Sequence, residues 1–352
     1  MDDACSDPAG DEDAALLSRR RFLLGLAASL VFLAIFVLRT DIDGAWEDLK
    51  RADYVYVIPA VGVFFVSVWF RAWRWGTVLR PFLVIPTYRL YPYVIIGSMA
   101  NNILPARAGE LVRTYVLGQR YGVKKMVVLG TVAIDRLFDG IALLAIYVVV
   151  ALISDTNTLL TYIAVAGAAA FGLITAVFFT AVYRPQLAER LLVSLSRWLP
   201  RRLQDTALAA SRSFLVGLEP LRRPEIIVGV LALSLAAWLG ETTMYYILGL
   251  GFNLDQPFEV YLLVAAAANL VIALPPSQGG IGPFELVTRE VLVLAGVGAS
   301  VASAYAVALH AALLLPVIVL GLVFLWLVQL DIRRVLKGDD DGSLLADAGR
   351  PT

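Results

Sequence analysis

The sequence predicts an all-α membrane protein: six spanning helices plus two oppositely oriented re-entrant helical hairpins, arranged as an inverted repeat. Three observations lead there. Of 352 residues, 59% are hydrophobic and only 16% charged, with a mean hydropathy of +0.77; a soluble domain carries about 25% charge. The apolar residues fall into runs long enough to cross a bilayer. Two of those runs are interrupted by proline and glycine at corresponding places, as in transporters built from inverted repeats.

The elements follow in order. Residues 1–18 read as an acidic, disordered tail. Arg19, Arg20 and Arg21 before the run 22–38 resemble a twin-arginine export signal. No small-residue cleavage site follows, so the arginines read instead as a stop before a first spanning helix. Further spans are expected at 54–70, 126–153, 159–182, 225–250 and 303–329. The stretch 90–104 is broken by Pro105, Arg107 and Gly109, and 260–274 by Pro275, Pro276, Gly279, Gly280, Gly282 and Pro283. Between the repeats, 183–224 is arginine-rich and carries Leu187, Leu191 and Trp198. It reads as amphipathic helices on the anionic inner leaflet. Residues 336–352 read as a second disordered tail.

Basic residues set the orientation. Segments 18–21, 71–89, 106–125, 183–224 and 331–338 hold 23 of the 29 lysines and arginines, which places them on the cytoplasmic side of a cytoplasmic membrane. Segments 154–158, 251–259 and 298–302 hold none and fall outside. The stretch 90–104 then has cytoplasmic flanks and 260–297 external ones, so each returns to the face it left. Both termini are cytoplasmic. One membrane domain, 19–335, contains repeats of about 19–153 and 159–330. Trp69, Trp73 and Trp75 with Arg71 and Arg74 read as an anchor at the inner interface.

Charge inside apolar runs marks the candidate site. A charged side chain at the centre of a lipid-facing helix costs about 2.5–3.5 kcal/mol, so Glu110, Arg113, Asp135, Arg136, Asp139, Glu241, Glu285 and Arg289 must face protein, water or one another. Glu110 and Arg113, like Glu285 and Arg289, have the spacing of intrahelical pairs. Freed backbone at the breaks adds Asn102, Arg107, Gly109, Ser277, Gln278, Gly279 and Gly280 to the substrate-binding set. The helix starts after Gly109 and Gly282 are expected to offer unpaired N–H groups to an anion such as phosphate. Purely structural ion pairing and ordinary tight turns remain the competing readings. Cys5 and His310 are the only residues of their kinds, which excludes a disulfide framework, cysteine metal clusters and paired-histidine chemistry. His310 reads as a packed, hydrogen-bonded residue. No cofactor and no nucleic-acid partner is expected.

The segments Asn102 to Arg113, Asp135 to Asp139 and Leu274 to Glu285 resemble the lysylphosphatidylglycerol synthase transmembrane family, also called flippase-like membrane proteins. The family often has glutamate where Asp135 stands and proline where Gln278 stands; both departures keep the charge or the break. In multidomain relatives this region moves a lipid made by a fused cytoplasmic transferase. The resemblance here implies the translocation part alone, acting on an anionic or phosphate-bearing lipid, with a separate transferase or envelope enzyme as partner. Homo-oligomerisation stays open. So do two other readings: an intramembrane enzyme or subunit modifying lipids or lipid-linked glycans, and an envelope scaffold.

Overall fold

A computed structural model describes residues 30–104, 108–153, 158–196, 201–273 and 278–327. Among them every regular element is helical. The chain runs α1 (Leu30–Arg39), α2 (Ile42–Arg51), α3 (Val57–Leu79), α4 (Thr87–Ile103), α5 (Gly109–Tyr121), α6 (Lys125–Ile153) and α7 (Thr158–Tyr183). It continues through α8 (Pro185–Ser196), α9 (Arg201–Gly217), α10 (Pro224–Gly251), α11 (Phe258–Ala273), α12 (Pro283–Leu294) and α13 (Ala299–Leu327).

Three of the described helices are long and apolar enough to cross a membrane: Tyr54–Leu79, Pro224–Gly251 and Ala299–Leu327. A fourth span arises if Phe171–Tyr183 and Pro185–Ser194, which meet at 105°, count together. This is fewer than the six expected from sequence, for identifiable reasons. The first run, 22–38, is described only from Leu30, where it forms the short apolar helix α1. Helix α6 has 29 residues, but Asp135, Arg136 and Asp139 interrupt its apolar face.

Both interrupted stretches fold back on themselves. In the first, Asn101 meets Gly109, Gly97 meets Arg113, and the Tyr93 and Tyr121 rings lie 6.4 Å apart, a register that only antiparallel arms produce. Gly97 and Gly109 permit the approach, because a methyl group on Gly109 would collide with the Gly97 carbonyl and the Asn101 side chain. In the second, α11 packs on α12 across a turn in which Gly279, Gly280 and Gly282 adopt φ of 59°, 77° and 93°. Residues with a Cβ rarely enter that region. Pro283 then occupies the first turn of α12, where its missing donor costs nothing.

The packing has matched halves. Helix α3 lies along α10 at the centre; α13 packs on α4, and α6 on α11. The amphipathic α2 sits against α13, where Ser300 donates to Asp48. On the exposed side of α2, Lys50 donates to Glu47 at 2.9 Å and holds that carboxyl below the usual carboxylate range. Correspondingly, α9 sits against α6, with Gly217 touching Gly130. The segment 183–224 is thus partly docked on the helix bundle, while Leu187 and Leu191 of α8 stay exposed.

The grouping of Trp69, Arg71, Trp73, Arg74 and Trp75 as one interfacial anchor is corrected. Helix α3 continues to Leu79, so these residues lie within it. Trp69 and Trp73 are exposed, whereas Trp75 is fully buried and the Arg74 side chain only 1% exposed.

The close approach of α4 and α5 has a measurable consequence. Gly109→Ala overpacks the hairpin and is expected to cost about 1–3 kcal/mol, read as a lower melting temperature in detergent. Gly62→Ala, facing open space within α3, does not lower it.

Candidate functional site

The charges of the apolar helices meet in one network. Arg74 on α3 donates from Nε to Asp135 Oδ1 at 3.2 Å, and from Nη1 to Asp139 Oδ1 at 2.6 Å and Ser234 Oγ at 2.8 Å. Arg71, one turn earlier, donates to Glu241 Oε2 of α10 at 2.6 Å and lies 3.7 Å from Asp139. Arg113 on α5 reaches the second oxygen of Asp135 at 3.0 Å. Arg136 lies 3.5 Å from Glu110 and 3.4 Å from Asp139. Four arginines and four carboxylates therefore close on each other across α3, α5, α6 and α10. Two guanidinium groups also stack on indoles, Arg113 over Trp75 at 4.3 Å and Arg71 over Trp238 at 4.5 Å. Such contacts strengthen when water is excluded.

Local structure explains the aim of these groups. Asp135 and Asp139 are one turn apart on α6, so both face α3. Arg71 and Arg74 lie three apart on α3, and each reaches a different neighbour. At the first hairpin tip, Asn101 accepts the Gly109 N–H at 2.8 Å and donates to Glu110 at 3.1 Å. At the second, Glu285 Oε2 accepts the Gly282 N–H at 2.7 Å while Oε1 lies 2.6 Å from His310 Nδ1. His310 Nε2 faces the Gly279 carbonyl at 2.8 Å.

A cavity of about 480 Å³ opens between the two tips. Both hairpins line it, through Asn102, Gly109, Glu110 and Arg113 on one side and Gly279, Gly280 and Phe284 on the other. The tips touch there, with Gly279 packed near the Asn102 carbonyl. Helices α3, α6, α10 and α13 complete the wall with Arg71, Arg74, Arg136, Asp139, Glu241 and His310. Apolar side chains such as Phe64, Val68, Leu143 and Leu314 fill the remainder. Two buried donors on this wall, Arg113 Nε and Trp238 Nε1, have no partner among the described residues. The Arg136 side chain is 42% exposed, the most open guanidinium of the four.

Of the residues expected at the site, Asn102, Gly109, Glu110, Arg113, Arg136, Asp139, Glu241, Gly279 and Gly280 line this cavity. Asp135 stands behind Arg74 and Arg113, fully buried. Glu285 braces the second tip through His310. Arg289 lies elsewhere, bonded to Ser303, Glu290 and the Arg39 carbonyl. Gln278 belongs to the short turn Gln278–Gly280. Arg107 and Ser277 lie outside the described residues.

Three sequence-based expectations are corrected. Glu110 and Glu285 pair with Arg136 and His310, not with Arg113 and Arg289 on their own helices. The Gly109 amide that opens α5 and the Gly282 amide just before α12 are already accepted by side chains, which narrows what the two helix starts offer an anion. Arg71 and Arg74 belong to the network, and their signal was the apolar Trp75, Val78 and Leu79 that continue the helix beyond them. Asn101, Ser234 and Trp238 carried no signal beyond being polar within apolar runs.

Residues 22–321 match the family described as the lysylphosphatidylglycerol synthase TM region. A UPF0104 membrane protein of Methanothermobacter thermautotrophicus is 25% identical, the match covering 79% of this chain and 87% of that protein. Another, of Pyrococcus horikoshii, is 23% identical over 79% of this chain and 88% of its own length. The glycosyltransferase AglD of Haloferax volcanii is 26% identical over 83% of this chain but only 52% of AglD, so this chain spans about half of it. No solved structure matches.

Removing one member of a buried charge network leaves its partners uncompensated, at a cost of about 3–5 kcal/mol. Arg74→Met is therefore expected to lower stability by that amount in detergent unfolding. Arg212→Gln, which loses an exposed pair with Glu189, is expected to change it by about 0–1 kcal/mol.

Proposed function

The chain belongs to the lysylphosphatidylglycerol synthase transmembrane family, and we propose that it is a flippase-like transporter that binds and moves an anionic or phosphate-bearing lipid within the cytoplasmic membrane. The observation that carries this is the cavity between the two hairpin tips, walled by charges that have no place in lipid unless they face one another or a polar guest. Its volume lies in the range of small-molecule sites, about 300–1,000 Å³. It suits a headgroup whose acyl chains stay in the bilayer. The donors of Arg113 and Trp238 that lack a partner among the described residues, and the exposed guanidinium of Arg136, favour a guest rich in acceptors. Arginine binds phosphate oxygens in pairs.

The same reading includes six spans and two re-entrant hairpins. Arms of 13 residues in α5 and 12 in α12 are too short for a bilayer core that takes about 20. Folding back on α4 and α11 returns the chain to its starting face. At about 1.5 Å per residue, the 29 residues of α6 are long enough to cross once their charges turn to the cavity. The matched contacts of α2 with α13 and α9 with α6, and of α4 with α13 and α11 with α6, support an inverted repeat. In such transporters, substrate sits near the midplane where broken helices meet.

The glycosyltransferase name of AglD supports a second reading, a membrane subunit serving the modification of a lipid-linked glycan. Both readings place a lipid headgroup in the cavity; they differ in whether the lipid crosses.

Vesicles containing the purified protein and a fluorescent phosphatidylglycerol analogue decide between them. Transport predicts loss of fluorescence from both leaflets under an impermeant quencher, faster than in protein-free vesicles. Arg136→Gln is expected to slow it roughly tenfold or more, the effect of a lost charge-assisted hydrogen bond, while Arg212→Gln is without effect. Wild-type protein no faster than empty vesicles would reject transport, and an unchanged rate in Arg136→Gln would reject this cavity.

A further inference from the structure

We propose that Glu285 and His310 form a one-proton site that latches the second hairpin tip onto α13 and couples protonation to occupancy of the cavity. The geometry of His310 requires the proton. Its Nε2 lies 2.8 Å from the Gly279 carbonyl, which only accepts, so Nε2 carries hydrogen. A neutral imidazole then presents Nδ1 as a bare lone pair, and an ionised Glu285 presents only acceptors. Two acceptors repel, yet Nδ1 and Oε1 stand 2.6 Å apart. One proton must lie between them, either on His310, giving an imidazolium beside a carboxylate, or on Glu285, which then donates to Nδ1. In both forms the pair is neutral overall.

The pair grips the turn at both ends. His310 holds the Gly279 carbonyl, and Glu285 Oε2 holds the Gly282 N–H at 2.7 Å. The Phe284 ring lies 4.5 Å from the imidazole, tilted 33° to it. Loss of the proton sets a carboxylate against a lone pair, the contact opens, and the glycine turn is released from α13. Among its described residues, the first hairpin has no such device. Its glutamate, Glu110, faces Arg136, and arginine does not deprotonate in proteins.

The other charged groups around the cavity leave the role to this pair. From α3, α6 and α10, Arg71 holds Glu241 and Arg74 holds Asp139; from α5 and α6, Glu110 faces Arg136 and Arg113 holds Asp135. Tyr245 of α10 donates to Glu241. On α12 itself, Arg289 holds Glu290. Helices α4 and α11 contribute the amides of Asn102 and Asn269 to the wall. Among the described residues, Glu285 is the carboxylate whose partner, the cavity-lining His310, is of the side chain type that titrates near neutrality.

Coupling to the guest rests on the transport reading; the proton site does not. A deprotonated pair adds one negative charge beside the cavity and disfavours an anionic headgroup. By reciprocity, a bound anion favours the proton.

Because His310 is the single histidine, nitrogen-15 imidazole NMR of the full chain in phosphatidylcholine nanodiscs reads this site alone. At neutral pH the expected spectrum has a protonated Nε2 and an Nδ1 held in a short hydrogen bond. Raising the pH removes one proton, and amide exchange at 278–282, corrected for its intrinsic pH dependence, rises at least about tenfold. In Glu285→Gln the amide NH2 donates to bare Nδ1, so both pH effects vanish. A bare, unbonded Nδ1 in wild type throughout about pH 5–9 overturns the proton site whether or not the variant folds. In vesicles, transport of fluorescent phosphatidylglycerol is expected to change about threefold or more between roughly pH 6 and 8, and to lose that dependence in Glu285→Gln. A rate independent of pH alongside a confirmed NMR titration overturns the coupling alone. Absence of transport at every pH rejects the transport reading and leaves the proton site standing.

Discussion

Arg74 holds the molecule to its arrangement. Its guanidinium, 1% exposed, binds Asp135, Asp139 and Ser234 at once and so ties α3 to α6 and α10. In a low-dielectric interior, a charge lacking such partners costs several kcal/mol. The three helices are therefore constrained to one mutual register. Arg71 and Arg113 extend the tie to Glu241 and to the first hairpin. Among the described residues, the network's four arginines face four carboxylates.

That constraint also fixes where the backbone can be irregular. A broken helix exposes amides and carbonyls that lipid cannot satisfy. Here Asn101 takes the Gly109 amide, Glu285 the Gly282 amide and His310 the Gly279 carbonyl. Side chains from the hairpins and from α13 thus satisfy described backbone groups that flank the breaks. Each tip carries a glutamate just inside its second arm, Glu110 meeting Arg136 in the first and Glu285 meeting His310 in the second.

Much of this was legible in the sequence, and the limits have a physical origin. The helical class, the breaks after Leu104 and before Pro283, and the presence of buried charge all follow from local composition. Pairing does not. Arg74 lies 61 residues from Asp135 and 160 from Ser234, and helical periodicity constrains only neighbours three or four apart. Local reasoning accordingly favoured Glu110 with Arg113 and Glu285 with Arg289, whereas tertiary packing joins Glu110 to Arg136 and Glu285 to His310. Arg71 and Arg74 resembled an interfacial anchor because tryptophans flank them; that α3 carries them inward depends on α10 lying alongside.

Headgroup entry between the hairpin tips is the claim most directly open to measurement. A lipid bearing a photoreactive group beside its phosphate, irradiated with the protein in a bilayer, marks by mass spectrometry the residues its headgroup visits. Label within 97–113, 238–245 and 269–284, from both sides of the cavity, is the result that headgroup entry predicts. Label confined to α2, α8 and α9, with none at either tip, would contradict it.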